Sequence, residues 1–341
     1  MILLISTKFT NKINEKNVIN KFRKGEISIS EAFEYLTNNS NYKLEKEISN
    51  TVIKKTSRED LQNINKQEKL NNLLRELDKL VGLEKIKEII KEYLAFVKVQ
   101  KLREQYNLKT EQVVMHMIFK GNPGTGKTTV ARIIGKIFKE IGFLLNGDLI
   151  EAERSDLVGE YIGHTAQKTK KVIDNALGGV LFIDEAYALA RGGEKDFGKE
   201  AIDTMVKAME DYKDKIIIIL AGYRNEMNSF LECNPGLRSR FAIQLDFPDY
   251  SIEQLVKIAE IMYQEREYVL DSESKHYIYR VITKKRNKEG LNNGNARMIR
   301  NLVERSIRHQ AKRLINNGKI NRDNLLYIKK ADLPGEEVFY E

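Results

Sequence analysis

Gly121-Asn122-Pro123-Gly124-Thr125-Gly126-Lys127-Thr128 follows the pattern Gly, any four residues, then Gly-Lys-Ser/Thr, and Thr129 continues the run. Residue types at this spacing make a phosphate cradle. Glycines let the backbone turn tightly and present bare N–H groups to phosphate oxygens. The helix that follows aims its positive end at the same point. Lys127 adds a full charge for β- and γ-phosphates, and the Thr128 hydroxyl can ligate Mg²⁺. Further along, Val180-Leu181-Phe182-Ile183-Asp184-Glu185 is an apolar run ending in two carboxylates. Asp184 would emerge at the C-terminal end of a buried strand, where ligands gather in open α/β sheets. It could hold Mg²⁺ directly or through water, while Glu185 polarises a water for attack on a γ-phosphate. An Asp paired with a catalytic Glu points to hydrolysis coupled to work rather than to a switch.

Two arginine segments lie beyond this core. Asn234-Pro235-Gly236-Leu237-Arg238-Ser239-Arg240-Phe241 follows what reads as the last sheet strand. Its arginines are either surface cations or a finger given to the phosphate of a neighbouring copy. Gly294-Asn295-Ala296-Arg297 opens a helix, so Arg297 starts a rigid element that could reach the phosphates. Arg300, Arg305 and Arg308 share that helix, and the alternative for Arg297 is a solvated cation like them.

These groups need a scaffold. Met115–Lys120, Leu149–Ala152, Val180–Ile183 and Ile216–Leu220 read as strands; Gly126–Gly142, Thr165–Leu177 and Gly198–Tyr212 read as helices between them. The alternation predicts an α/β fold, a parallel sheet flanked by helices. Leu83–Leu108 precedes it as an amphipathic helix. After Pro248 the alternation stops: Ser251–Glu267, Ser274–Arg286 and Ala296–Asn316 read as helices, and the tail Ile320–Leu333 can hold a hairpin. The expected organisation is an N-terminal helical or partly disordered extension over 1–75, an α/β nucleotide-binding domain over 76–248 and a small helical lid over 249–341. Within the extension, Phe22–Leu36 reads as two short helices around Gly25.

Composition sets outer limits. Across 341 residues there is one cysteine, Cys233, which excludes a disulfide framework and fits a reducing cytoplasm. The longest apolar run, Ile216–Ala221, is far too short for a membrane span. Met1–Ile5 is apolar but Lys8 ends the run, so no signal peptide is expected. The net charge of +9 permits an acidic partner without requiring one. Asp196-Phe197-Gly198 spells a kinase triplet, but no catalytic HRD loop accompanies it. Lys284-Lys285-Arg286 reads as a solvated helix end.

Together the motifs resemble the AAA+ ATPases: Gly121–Thr128 as Walker A, Asp184-Glu185 as Walker B, Leu237–Phe241 as the arginine-finger box and Gly294–Arg297 as sensor 2. Leu157–Thr169, Leu181–Ala186, Asp196–Ile202, Leu220–Tyr223, Asn234–Arg240 and Asp246–Tyr250 resemble, more narrowly, the CbxX/CfqX family. The likeness covers about residues 78–316. It implies an AAA+ P-loop NTPase fold with a helical lid, with ATP and Mg²⁺ as ligands. A homo-oligomer, a hexamer by analogy, would act on a client protein of unknown identity. The resemblance places Val81 and Gly82, after Leu80, against the adenine. It makes Arg240 the finger, with Arg238 second, and Arg297 sensor 2. It matches Tyr161-Ile162-Gly163 to a pore loop whose aromatic grips substrate polypeptide; ordinary loop packing is the other reading of an exposed Tyr-Ile beside glycine. Sensor 1, usually Asn or Thr, falls here at Tyr223, with Asn225 nearby. Within the family, the roles are sporulation-linked remodelling or activation of Rubisco, and the Asn- and Lys-rich composition favours the first. A nucleic-acid motor or loader on the same ATPase core is the alternative of another class. It is motivated by the cationic helix 296–316, but no stacking aromatic series supports it.

Overall fold

A computed structural model describes residues 58–335, apart from 112, 162, 193–195, 233, 290–293 and 319, together with Lys21. The expected helices in Phe22–Leu36, along with Ile162 and Cys233, lie outside the described residues. The chain divides into two compact units, Met1–Asn65 and Lys66–Glu341. Within the second unit the sheet and the helical bundle that follows it share one continuous apolar cluster.

Helices α1 (Arg58–Lys79) and α2 (Glu84–Gln105) come first. Then follow β1 (Met117–Gly121), α3 (Lys127–Glu140), β2 (Leu149–Ala152), the single turn α4 (Arg154–Leu157), α5 (His164–Ala176) and β3 (Val180–Ile183). Next come a short 3₁₀ turn (Ala186–Ala190), α6 (Gly198–Asp211), β4 (Ile217–Gly222), α7 (Arg224–Glu232), α8 (Pro235–Arg240) and β5 (Ile243–Phe247). The five strands lie in the order β2-β3-β4-β1-β5, every neighbouring pair parallel. The sequence pattern predicts a sheet that ends at β4; the structure adds β5 at the edge beside β1. Its Ile-Gln-Leu-Asp-Phe pattern alternates buried and exposed residues, as an edge strand allows, and so lacks the continuous apolar run of β3 and β4.

Period-2 alternation divides the sheet's side chains between two layers. Met117 and Phe119 of β1 face one cluster with α2 (Ile86, Ile90, Leu94) and α3 (Val130, Ile134, Ile137). Ile118 faces the other with α6 (Ala201, Met205, Met209) and α7 (Met227, Phe230). Phe119 packs against Phe247 of β5 at 4.9 Å between ring centroids and against Phe182 of β3 at 6.4 Å. Each such fully buried side chain contributes about 1.5–3 kcal/mol. β1 therefore sits deep in the sheet, and the loop that follows it starts from a fixed point. In α3, Gly135 is required: a Cβ there would stand 2.5 Å from the carbonyl oxygen of Gly147.

The remaining elements form the helical layer: α9 (Ile252–Gln264), β6 (Val269–Leu270), α10 (Ser272–Glu289), α11 (Asn295–Asn317), α12 (Arg322–Leu326), β7 (Tyr327–Ile328) and a 3₁₀ turn (Lys330–Asp332). Ser251 caps α9 through a reciprocal pair, its hydroxyl accepting from Gln254 N and its own N–H donating to Gln254 Oε1. The hairpin expected over Ile320–Leu333 does not form. Instead β7 pairs in parallel with β6, Val269 opposite Tyr327 and Leu270 opposite Ile328. The two-residue strand is too short to be read from alternation. Arg313 of α11 then grips the fully buried Asp332 with two hydrogen bonds, 2.5 and 2.8 Å.

His116, next to β1, is 1% exposed, and its Nδ1 accepts the Ile218 N–H of β4. Burial pushes its pKa down to about 4. The unfolded chain, near 6.5, therefore binds the proton first, so stability is fully present above pH 6.5 and is lost as pH falls toward 4. The expected loss is about 2–3 kcal/mol. Urea midpoints measured between pH 7 and 4 should fall, and His116→Gln should flatten the part of that slope that lies below the ordinary histidine pKa.

Candidate active site

The loop between β1 and α3 reverses the chain with Gly124 at φ +74° and Gly126 at φ +95°, both in the left-handed region. It borders a cavity of about 420 Å³, lined from this loop and the start of α3 by Gly121, Pro123, Gly124, Gly126, Lys127, Thr128 and Thr129. Asp184 and Glu185, just past β3, reach the same cavity. So does Arg297, in the first turn of α11. The two carboxylates, the lysine, the threonine and the lid arginine that the sequence singled out thus meet in one place.

Lys127 is largely buried, and Nζ donates to the carbonyls of Gly121 at 2.8 Å and Asn122 at 2.9 Å. Burial lowers its pKa from the ordinary lysine value, and Arg297 pushes the same way; Asp184, Asp249 and Glu185 oppose them. Glu185 has a left-handed backbone, φ +46°, which costs a non-glycine residue energy and marks a position the surroundings enforce. Its N–H donates to Asp184 Oδ1 at 3.0 Å. Tyr187 follows on the 3₁₀ turn. Burial first, then the neighbouring Glu185 carboxylate, raises the pKa of its hydroxyl to about 12. Thr128 and Asp184 supply hard oxygen donors to the same cavity, the set Mg²⁺ prefers beside phosphate, so the residues present fit that ion.

Other expected site residues lie elsewhere. Asn122 turns its amide to Asp249, and Thr125 is fully buried with its hydroxyl donating to Asn122 O; neither side chain lines the cavity. Val81 and Gly82, both half-buried, form the turn between α1 and α2, where a Cβ on Gly82 would lie 2.7 Å from Gln254 Nε2. Neither borders the cavity. Arg238 is exposed and Arg240 partly so. Arg240 donates to Glu210 Oε1 at 2.8 Å and to Gly236 O at 2.9 Å, and both arginines stay out of the chain's own cavity. Tyr161 is 66% exposed, its ring edge-on to His164 at 5.5 Å; Gly163 at φ +82° caps α5.

Of the two residues weighed for sensor 1, Tyr223 lines the cavity, at the end of β4, and Asn225 does not. Other lining residues belong to no motif in the sequence. Arg300, which by composition alone resembles the solvated cations of its helix, joins Arg297 at the cavity. The spacing of three on one helix, which puts both on the same face, was the available signal. Arg132, one turn beyond Thr128 on α3, donates to Glu151 of β2 at 2.7 Å, and both residues border the cavity.

Comparisons with known proteins agree with this geometry. Residues 117–249 match the family described as ATPase family associated with various cellular activities (AAA), and residues 251–338 match the AAA lid domain. Stage V sporulation protein K of Bacillus subtilis (strain 168) is 53% identical over 282 residues, covering 80% of this chain and 87% of that protein. Protein CfxQ of Xanthobacter flavus is 43% identical, over 78% of this chain and 84% of its own. The chloroplastic ribulose bisphosphate carboxylase/oxygenase activase of Cyanidioschyzon merolae is 42% identical, over 82% and 96%. The solved structure of a Thermotoga maritima RuvB point mutant superposes with a TM-score of 0.50 at 22% identity, over 73% of this chain and 70% of that one, a likeness of fold alone.

Gly124 gives the sharpest local test. A Cβ there would stand 2.2 Å from Gly294 O, on a backbone that side chains avoid. Gly124→Ala should weaken binding of fluorescent ATP by about tenfold or more, read from equilibrium titration.

Proposed function

The chain belongs to the AAA ATPases, within the CbxX/CfqX family, and from that premise we propose that it is an ATP-driven protein remodeller. It works as a homo-oligomer, a hexamer by family analogy, with ATP held at the seam between copies. Residues 76–248 form the nucleotide-binding body and 249–341 the lid. By the family resemblance, Val81 and Gly82, which lie outside the phosphate cavity, would flank the adenine beyond it. Lys127 neutralises the β/γ-phosphates, while Thr128 and Asp184 would hold Mg²⁺, which when bound offsets phosphate charge. Glu185 orients the attacking water and takes its proton. Arg297 stabilises the phosphates from the lid side. Arg240 of the adjoining copy, with Arg238 second, meets the charge that develops on the transferred phosphoryl group.

The observation that carries this reading is the convergence of Lys127, Thr128, Asp184, Glu185 and Arg297 on one cavity that Arg238 and Arg240 do not border. To serve as a finger, Arg240 exchanges its Glu210 partner for the phosphate of the adjoining copy. Tyr161, exposed on the loop before α5, supports a gripping role for Tyr161-Ile162-Gly163 in a central channel. The higher identity to stage V sporulation protein K than to the Rubisco activase favours sporulation-linked remodelling in the cytoplasm over Rubisco activation. Among the described residues no helix is long and apolar enough to cross a membrane.

Glu185→Gln should keep ATP binding and lower phosphate release by about a hundredfold or more. Arg240→Ala should also be inactive alone. Mixing the two variants should restore turnover, because an intact Glu185 then meets an intact Arg240 across the seam. Mixtures as inactive as their components would remove Arg240 from the site, and undiminished turnover by Glu185→Gln would remove Glu185.

A further inference from the structure

Three consecutive carbonyls of the phosphate loop are occupied from the side of the lid. Asn295 Nδ2 donates to Pro123 O at 3.3 Å, the Ala296 N–H to Gly124 O at 3.1 Å, and the Tyr250 hydroxyl to Thr125 O at 3.0 Å. In a planar trans peptide the C=O and the following N–H point in opposite directions. Fixing these carbonyls therefore turns the N–H groups of Gly124, Thr125 and Gly126 to the other side. A phosphate loop works through such N–H groups.

The donors are tied to one another. Asp249 accepts from Asn122 Nδ2 at 3.0 and 2.9 Å, one to each carboxylate oxygen, and from Asn295 Nδ2 at 2.8 Å. Asn295 Oδ1 accepts the Tyr250 N–H at 3.1 Å. Asn295 is 4% exposed and stands at φ +45° in the opening turn of α11. Asparagine tolerates that backbone better than most side chains. One buried amide thus joins the phosphate loop, the segment after β5 and the start of the lid helix, and every polar atom of its side chain is used.

We infer that Asn295 is a positioning residue: through Asp249, Tyr250 and the loop carbonyls it makes the phosphate-ready shape of the loop depend on a docked lid. The inference rests on the nucleotide-binding reading of the cavity but not on hydrolysis, assembly or client. By linkage the dependence is mutual, so bound phosphate holds the lid down and an undocked lid loosens phosphate.

The test uses the full chain and ADP, measured by titration calorimetry. Asn295→Asp sets two carboxylates against each other and should weaken ADP roughly tenfold or more. Asp249→Asn should weaken it too. The double variant exchanges amide and carboxylate, keeps the Tyr250 and Asn122 acceptors, and should recover a clear part of the lost affinity, which general destabilisation would not do. Tyr250→Phe deletes one hydroxyl in the core and should weaken ADP several-fold even if Asn295→Asp does not fold. Amide exchange at Gly124, Thr125 and Gly126 should quicken in each weakened variant without nucleotide. Parental ADP affinity in Asn295→Asp or Tyr250→Phe, or a double variant weaker than either single one, overturns the inference alone. A parent chain that does not bind ADP overturns the nucleotide reading and the inference with it.

Discussion

A largely buried ammonium at Lys127 is the constraint around which the rest is built. Burying a cation is expensive unless its charge is met. Here two loop carbonyls accept its hydrogen bonds, while Asp184, Asp249 and Glu185 surround it with negative field. Those carboxylates come from the ends of different strands, so the charge balance exists only once β3 and β5 have joined the sheet that holds β1. The sheet register is therefore part of the electrostatics: it sets where each carboxylate stops.

A polyphosphate ligand would account for the polarity of the cavity. Its wall mixes Lys127, Arg132, Arg297 and Arg300 with Asp184, Glu185 and Glu151. In the proposed reaction the cations would meet the phosphates and the acids would face the metal ion and the attacking water. The left-handed backbone of Glu185 turns the chain away from the strand's own course at the mouth of the sheet. The Arg240–Glu210 tether sits apart from this wall and belongs to a different surface of the molecule.

Much of this was legible in the sequence because the informative residues are contiguous. Gly121–Thr128 and Val180–Glu185 each carry their meaning within one short run, and β2 and β3 fall at the residues expected. The features that no local pattern signals are hidden for physical reasons. β5 is half-solvated and interleaved with polar residues, so its apolar signal is weak. Arg300 looked like its solvated helix-mates because the composition of a helix does not say which face meets a ligand. The partnership of Asn122, Asp249 and Asn295 spans the whole catalytic half of the chain. No local period encodes it, and only the folded backbone brings the two amides and the carboxylate together.

The small β6–β7 ladder has a consequence for how the molecule is made. Val269 and Leu270 wait for Tyr327 and Ile328, nearly sixty positions downstream. During synthesis all five strands of the main sheet leave the ribosome before that partner does. Closing so long a chain segment is slow relative to local helix formation. The ladder therefore closes last, after the segments that carry Asp249, Tyr250 and Asn295 have already been made.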